Sequence, residues 1–155
     1  MNQITISSYK QEYAKDFAKI NYEWLEQYFV VEAHDSDLLD DPENHIIKAG
    51  GEILFALLDD IVIGTVALIS KGNGQVELTK MGVSKEFRGY KAGKLLMEAA
   101  VEKCKVMGFK EIILESNRSL TPALTLYRSF GFEEIELDPN TEYVRADIRM
   151  SLSLP

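Results

Sequence analysis

Residues 81–100, Met-Gly-Val-Ser-Lys-Glu-Phe-Arg-Gly-Tyr-Lys-Ala-Gly-Lys-Leu-Leu-Met-Glu-Ala-Ala, restrict the fold more than any other stretch of the chain. An apolar strand end runs into a loop with two glycines, Gly89 and Gly93, and the loop opens directly into a helix-forming run. When a helix joins two strands of one sheet, the connection is right-handed and the strands pair in parallel. Lys85, Arg88, Lys91 and Lys94 recur every three residues around the helix start. The first turn of a helix carries unpaired N–H groups and the positive end of the helix dipole. Glycine lets an anion approach the backbone closely, and cations complete the neutralisation. The stretch reads as a seat for a polyphosphorylated ligand.

The rest of the chain places this loop in a mixed sheet. Residues 3–8 alternate and predict a first strand. Tyr13, Phe17, Ile20, Trp24 and Tyr28 recur at helical spacing and predict a helix over 10–29, with Ser7 or Ser8 near its cap. A short helix over 35–41 is expected to stop at Pro42. Strands Ile53–Leu58 and Ile61–Ser70 meet at Asp59-Asp60, and Gly72-Asn73-Gly74 turns into a strand over Gln75–Val83. A helix over 90–107, a strand over Glu111–Glu115 and a helix over Thr121–Phe130 follow, the last stopped by Gly131. Phe132–Leu137 and Val144–Leu152 are expected to be closing strands. The order β-α-α-β-β-β-α-β-α-β-β predicts an α/β fold with helices on both faces of a mixed sheet. Its 155 residues predict a single domain, 1–155.

Charge narrows the partners. The net charge of -8 disfavours nucleic acid, because a phosphate backbone repels an acidic surface. Residues 71–94 nevertheless hold six bases against two acids. Residues 32–43 hold six acids and no Lys or Arg, which reads as a solvated face. The apolar stretch from Ile53 to Ile69 is broken by Asp59 and Asp60, so it reads as two strands and not as a membrane span. A single cysteine, Cys104, and no signal-peptide pattern in MNQITISS suggest a cytoplasmic location. His34 and His45 lack ligand-spaced partners, so no metal site is expected.

Two phosphate-binding motifs fail at the loop. Gly89-Tyr-Lys-Ala-Gly93-Lys94-Leu95 is one residue short of a P-loop, and Leu95 cannot ligate magnesium. A dinucleotide fingerprint would place an acid near Glu115, but the glycine spacing is wrong and an antiparallel meander precedes the loop. A third pattern fits. Arg88-Gly-Tyr-Lys-Ala-Gly93 resembles the R/Q-x-x-G-x-G/A signature of the GNAT superfamily of acyl-CoA N-acyltransferases. Met81-Gly82-Val83 and Leu126-Tyr127-Arg-Ser-Phe-Gly131-Phe132 match two further segments of that family, and the element order matches its fold across the whole chain. The family usually has glycine where this chain has Lys91. A lysine amide still donates at negative φ there, whereas positive φ would strain Lys91 and weaken coenzyme binding.

The resemblance implies a mostly antiparallel sheet whose fourth and fifth strands splay apart to admit acetyl-CoA. It assigns the pyrophosphate to Arg88, Gly89, Tyr90, Lys91, Ala92, Gly93 and Lys94. It assigns the pantetheine arm to Met81 and Val83, with Ser116 and Asn117 on the far side. Tyr127 would give a proton or hydrogen bond to the departing sulfur. Glu77 would remove the amine proton, which requires Glu77, Thr79, Met81 and Val83 to share one strand face lining the substrate channel. The competing readings are a packing Tyr127 and a solvent-facing Glu77. The acceptor pocket is expected from Trp24, Tyr28, Glu32, Tyr143 and Arg145, with Arg145 suited to a carboxylate. The implied activity is direct acetyl transfer to the primary amine of a small-molecule or amino-acid-like acceptor. The alternatives are a protein N-acetyltransferase and a non-catalytic acyl-CoA-binding module. The expected partners are acetyl-CoA and the amine, and a homodimer is compatible with the resemblance.

Overall fold

The computed structural model describes residues 3–155. In chain order the elements are β1 (Ile4–Ser8), α1 (Ala14–Tyr28), α2 (Ala33–Asp40), β2 (Glu52–Leu58), β3 (Ile61–Gly72), β4 (Gln75–Val83), α3 (Ala92–Val106), β5 (Glu111–Ser116), α4 (Thr121–Ser129), β6 (Glu133–Ile135) and β7 (Ile148–Ser153). Their order is the one the sequence implies. The strands form one sheet in the spatial order β1-β2-β3-β4-β5-β7-β6. Every junction is antiparallel except β4–β5, which α3 bridges and which is parallel.

Alternation along the central strands builds a core on each face of the sheet. Leu54, Ala56 and Leu58 pack with Leu96, Met97 and Ala100 of α3 and Leu124 of α4. Ile53, Phe55 and Leu57 pack on the other face with Phe17 and Leu25 of α1 and Leu38 and Leu39 of α2. The hairpin turns follow from local chemistry. Asp59 and Asp60 (φ 49° and 69°) and Asn73-Gly74 (φ 53° and 77°) supply the paired left-handed residues that a tight two-residue turn requires. Among the described residues, no helix is long and apolar enough to cross a membrane.

Several boundaries differ from expectation. Ser7 and Ser8 belong to β1, and Tyr13 occupies the N-cap position of α1 after a short 3-10 turn at Gln11–Tyr13. Helix α2 starts at Ala33, where Glu32 and Asp35 form a reciprocal capping box. A π-helical turn, Glu43–Ile47, follows Pro42. The expected closing strand Val144–Leu152 begins only at Ile148. Before it, the backbone amides of Val144 and Arg145 donate to the Glu32 carboxylate instead of to a neighbouring strand. Tyr143, Arg145 and Ala146 of the 143–147 segment line the site, and the Asp147 amide donates to the Ser116 carbonyl of β5 ahead of the β7 ladder.

Candidate active site

The β4–β5 junction opens after three register pairs, Gln75 with Glu111, Val76 with Ile112 and Glu77 with Ile113. Beyond them the strands diverge, and a cavity of about 210 Å³ fills the gap. Leu78 to Val83 form one wall, and Glu115, Ser116 and Asn117 form the other. Trp24 and Tyr28 of α1, Tyr127 of α4, and Tyr143 and Arg145 of the closing loop complete it. Met81, Val83, Arg88, Asn117, Tyr127, Tyr28, Tyr143 and Arg145 are thereby brought together from distant parts of the chain. Asn117 is committed to its own loop and to the Arg145 segment. It donates to the Arg145 carbonyl at 2.8 Å and accepts from Ser119.

A bulge in β4 reorders its faces. The register with β3 shifts between Thr65 and Ala67, so an extra β4 residue opposes Val66, and Lys80 adopts φ 52°. The Lys80 carbonyl accepts from the buried Thr65 hydroxyl at 2.9 Å. Met81 and Val83 pack toward the α3 side, whereas Lys80 reaches α2 and Gly82 lies under Trp24. Glu77 therefore does not share a face with Met81 and Val83, because the inserted residue breaks the alternation. It lines a second cavity of about 50 Å³ with Lys71, Glu115, Thr141 and Arg149. Burial pushes its carboxyl above the usual range, against the opposing pull of Lys71 and with reinforcement from Glu115.

The loop into α3 keeps its amides free. Arg88 is extended, Gly89 has φ 93°, and Lys91 sits in the left-handed region at φ 65°, ψ 21°. The first intrahelical bond runs from the Leu95 amide to the Lys91 carbonyl. Among the described residues, no side chain caps α3 and no backbone acceptor takes the amides of Gly89 to Lys94. Among the described residues, Lys85, Arg88, Lys91 and Lys94 form no ion pair either. A Cβ on Gly93 would lie 3.6 Å from Met81 and 3.7 Å from Leu126, which sets the helix start beside the end of β4. Six free amides, a helix N-terminus and four cations can hold a diphosphate there.

Lys91 carries the strain that its side chain implies. A non-glycine residue in this conformation costs about 1–2 kcal/mol. Lys91→Gly is expected to raise the thermal midpoint by about 2–4 °C per kcal/mol relieved. Lys91→Ala keeps the strain and removes only the charge, so comparing the two melting curves separates the contributions.

A buried ionic cluster closes the acceptor side. Asp35 and Lys80 have side-chain exposures of 0% and 1% and pair at 2.8 Å. Arg145 forks onto the same carboxylate at 2.6 and 2.7 Å. The Lys80 ammonium also donates to the Tyr143 hydroxyl at 2.9 Å, and the Arg145 guanidinium stacks 4.4 Å from the Tyr143 ring centre. Burial alone would raise the Asp35 carboxyl, but Arg145 and Lys80 outweigh it and hold it at about 2. Lys80 moves down from the ordinary lysine range, because burial penalises its charge by more than Asp35 restores and the neighbouring Arg145 repels it. Two expectations change here. The acidic run is not wholly a solvated face, since Asp35 is buried, and the Arg145 fork is occupied by Asp35 instead of standing open to a ligand carboxylate. Glu32 does not line the cavity. It fastens Val144 and Arg145 from behind.

Sequence reasoning passed over Lys80, Asp35 and Glu115 as site residues. The available signal was a lysine inside the strand run Val76 to Met81, next to Met81, where burial would demand an anion. Tyr127 is 8% exposed, packs against Phe132 and faces the cavity. Burial pushes its phenol up to about 12, so it is protonated at neutral pH.

The chain is similar to known proteins in sequence and in fold. The model of the acetyltransferase (GNAT) family matches residues 18–132. An uncharacterised N-acetyltransferase of Schizosaccharomyces pombe is 28% identical over 95% of this chain and 96% of its own. Another curated relative is longer, and the match spans 28% of its length. A GNAT-family acetyltransferase of Staphylococcus aureus superposes with a TM-score of 0.89 at 23% identity, over 99% of this chain and 100% of that one. The PaiA N-acetyltransferase of Thermoplasma acidophilum, solved in complex with coenzyme A, superposes with a TM-score of 0.77 at 19% identity, over 98% and 99% of the two chains. At these identities the structures establish a common fold.

Proposed function

Because the chain belongs to the acetyltransferase (GNAT) family, we propose that it transfers an acetyl group from acetyl-CoA directly to the primary amine of a small-molecule or amino-acid-like acceptor. One observation carries this reading. The uncapped amides of Gly89 to Lys94 stand at the start of α3, next to a cleft where β4 and β5 leave backbone groups unpaired. The diphosphate takes the loop, with Arg88 bridging to the cavity. The pantetheine arm lies along Met81 to Val83 as an added strand, with Ser116 and Asn117 opposite. The coenzyme A bound to the PaiA neighbour supports the choice of cofactor. Trp24, Tyr28 and Tyr143 bound the remaining space, which suits a compact amine over a folded protein surface.

An amine with a solution pKa of roughly 10 enters mostly protonated and must lose a proton before it attacks. Tyr127 serves the sulfur, and the carboxylates on the α1–α2 side of the sheet serve the nitrogen. Calorimetric titration with acetyl-CoA is expected to show one saturable site whose affinity falls with added salt, since the loop cations are exposed to screening. Absence of binding at millimolar acetyl-CoA would sink the reading. Release of free CoA against parallel amine and peptide panels tests the acceptor. Faster peptide turnover would replace the small acceptor with a protein, and coenzyme binding without any turnover would leave a binding module.

A further inference from the structure

The acceptor side of the large cavity is walled by aromatic rings. Trp24, Tyr28 and Phe29 come from the end of α1, and Tyr143 comes from the closing loop. Trp24 is set in place by buried polar contacts. Its indole N–H donates to Asn21 Oδ1 at 2.9 Å. The Asn21 amide nitrogen in turn donates to the Phe17 carbonyl at 2.8 Å and to the Thr65 hydroxyl at 3.0 Å. Asn21 and Thr65 are both fully buried, so the network fixes the orientation of the Asn21 amide and holds the indole N–H. A Cβ on Gly82 would lie 2.8 Å from the ring, so the indole rests against the β4 backbone. Phe29 meets it edge-on, with ring centres 6.3 Å apart. The one polar atom of Trp24 is committed inside the protein, and the ring offers the cavity an apolar surface.

The charges on the wall are already paired. Lys80, Arg88, Glu115 and Arg145 are the charged residues that line the cavity. Arg88 belongs to the loop assigned to the diphosphate. Lys80 and Arg145 share Asp35 at 2.8 and 2.6 Å, and Arg145 reaches Glu32 at 3.4 Å, so two cations meet two carboxylates. A carboxylate on the acceptor would be desolvated here without a free cation. A second ammonium fares no better. Glu115 is the one carboxylate among the lining residues, enough to balance a single ammonium. Tyr143 already holds Lys80 and Arg145 at 4.5 and 4.4 Å from its ring centre, and Arg145 lies 5.8 Å from that of Phe29. Val30 and Val144 adjoin lining residues in the chain and are exposed, which adds apolar surface beside the wall. We propose that the acceptor is a monoamine on a compact apolar or aromatic body with no carboxylate, and that Trp24 selects it. The inference rests on the acetyl-transfer reading above and specifies its acceptor. The net reaction takes R–NH3⁺ and acetyl-CoA to R–NH–CO–CH3, CoA–SH and H⁺. The C–N bond forms and the C–S bond breaks. The sulfur keeps the bonding pair and gains one proton from nitrogen, and the second proton goes to solvent.

Initial rates at saturating acetyl-CoA give kcat/KM for a matched set of amines. Phenethylamine is expected to exceed phenylalanine, and butylamine to exceed diaminobutane, by roughly 100-fold, because the second member of each pair adds a charge that the wall cannot pair. In Trp24→Ala the preference for phenethylamine over ethylamine should fall by roughly 10- to 100-fold, the scale for burying one aromatic body. A role for Trp24 in packing alone would lower both amines by the same factor, and that result would overturn the proposal. Phenylalanine turned over as fast as phenethylamine, or diaminobutane as fast as butylamine, would overturn it too. If Trp24→Ala does not fold, the exposed Tyr28 of the same wall takes its place, and an unchanged preference in Tyr28→Ala counts equally against the proposal. A wild-type protein that binds acetyl-CoA yet acetylates none of these amines fails the reading of acetyl transfer to a small acceptor, which distinguishes the two failures.

Discussion

Asp35→Ala is expected to destabilise the fold by about 3–5 kcal/mol, the scale for removing one partner of a buried ion pair. The substitution leaves the buried Lys80 and its neighbour Arg145 without their shared anion, with Glu32, 3.4 Å from Arg145, left to offset two positive charges. Urea unfolding at pH 7 checks it, with a fall in midpoint of about 2 M for a slope near 2 kcal/mol per M. Replacing Asp35, Lys80 and Arg145 together by apolar residues of similar size should recover most of the loss, because apolar packing carries no desolvation cost. If Asp35→Ala costs under about 1 kcal/mol, the cluster is not the anchor its burial implies. The same carboxyl sets an acid limit. Its pKa is 3.8 in an unfolded chain and about 2 here, so its contribution is complete above pH 4 and fades as pH falls toward 2. The shift is worth roughly 2 kcal/mol. Asp35→Asn should flatten that part of the stability profile.

Tyr127→Phe is expected to lower kcat by about 10- to 100-fold while acetyl-CoA affinity changes by less than twofold. Magnitudes decide between the two roles the sequence allowed for this residue. An ordinary thiol has a pKa near 8.5, so moving a proton from a phenol at about 12 to a thiolate is uphill by roughly 5 kcal/mol. Hydrogen-bond donation to the departing sulfur costs no such transfer and contributes roughly 1.5–3 kcal/mol toward a charged acceptor, which is the basis of the expected rate loss. Because the phenol stays protonated up to high pH, Tyr127 should add no alkaline limb to the pH–rate profile below about pH 11. A rate unchanged in Tyr127→Phe would remove it from the chemistry and leave it as packing against Phe132.

The element order, the hairpin turns and the glycine loop were legible because each has a local cause. Continuous apolar runs broken at Asp59-Asp60 mark β2 and β3, paired left-handed residues mark the turns, and an uncapped helix start marks the anion seat. The β4 bulge left no such trace, since one inserted residue in a nine-residue strand barely alters a two-residue period. That single insertion separates Glu77 from Met81 and Val83. The burial of Asp35 was hidden among neighbouring acids, although the capping pair Glu32 and Asp35 has the right spacing to be read. Glu115 looked like a failed dinucleotide acid. Its position became meaningful only when the closing loop folded back over β5.

Pairing through main-chain amides measures spacing and ignores what hangs beyond them. On the proposed reading, the gap between β4 and β5 therefore grips every thioester of the same carrier about equally well. Discrimination between a short and a long acyl group then falls to the apolar lining of the cleft, which includes Leu78, Leu120 and Ala123 as well as Tyr127. Carrier recognition and chain-length selection become separable properties, and trimming one of those apolar side chains would widen the range of donors without loosening the hold on the nucleotide.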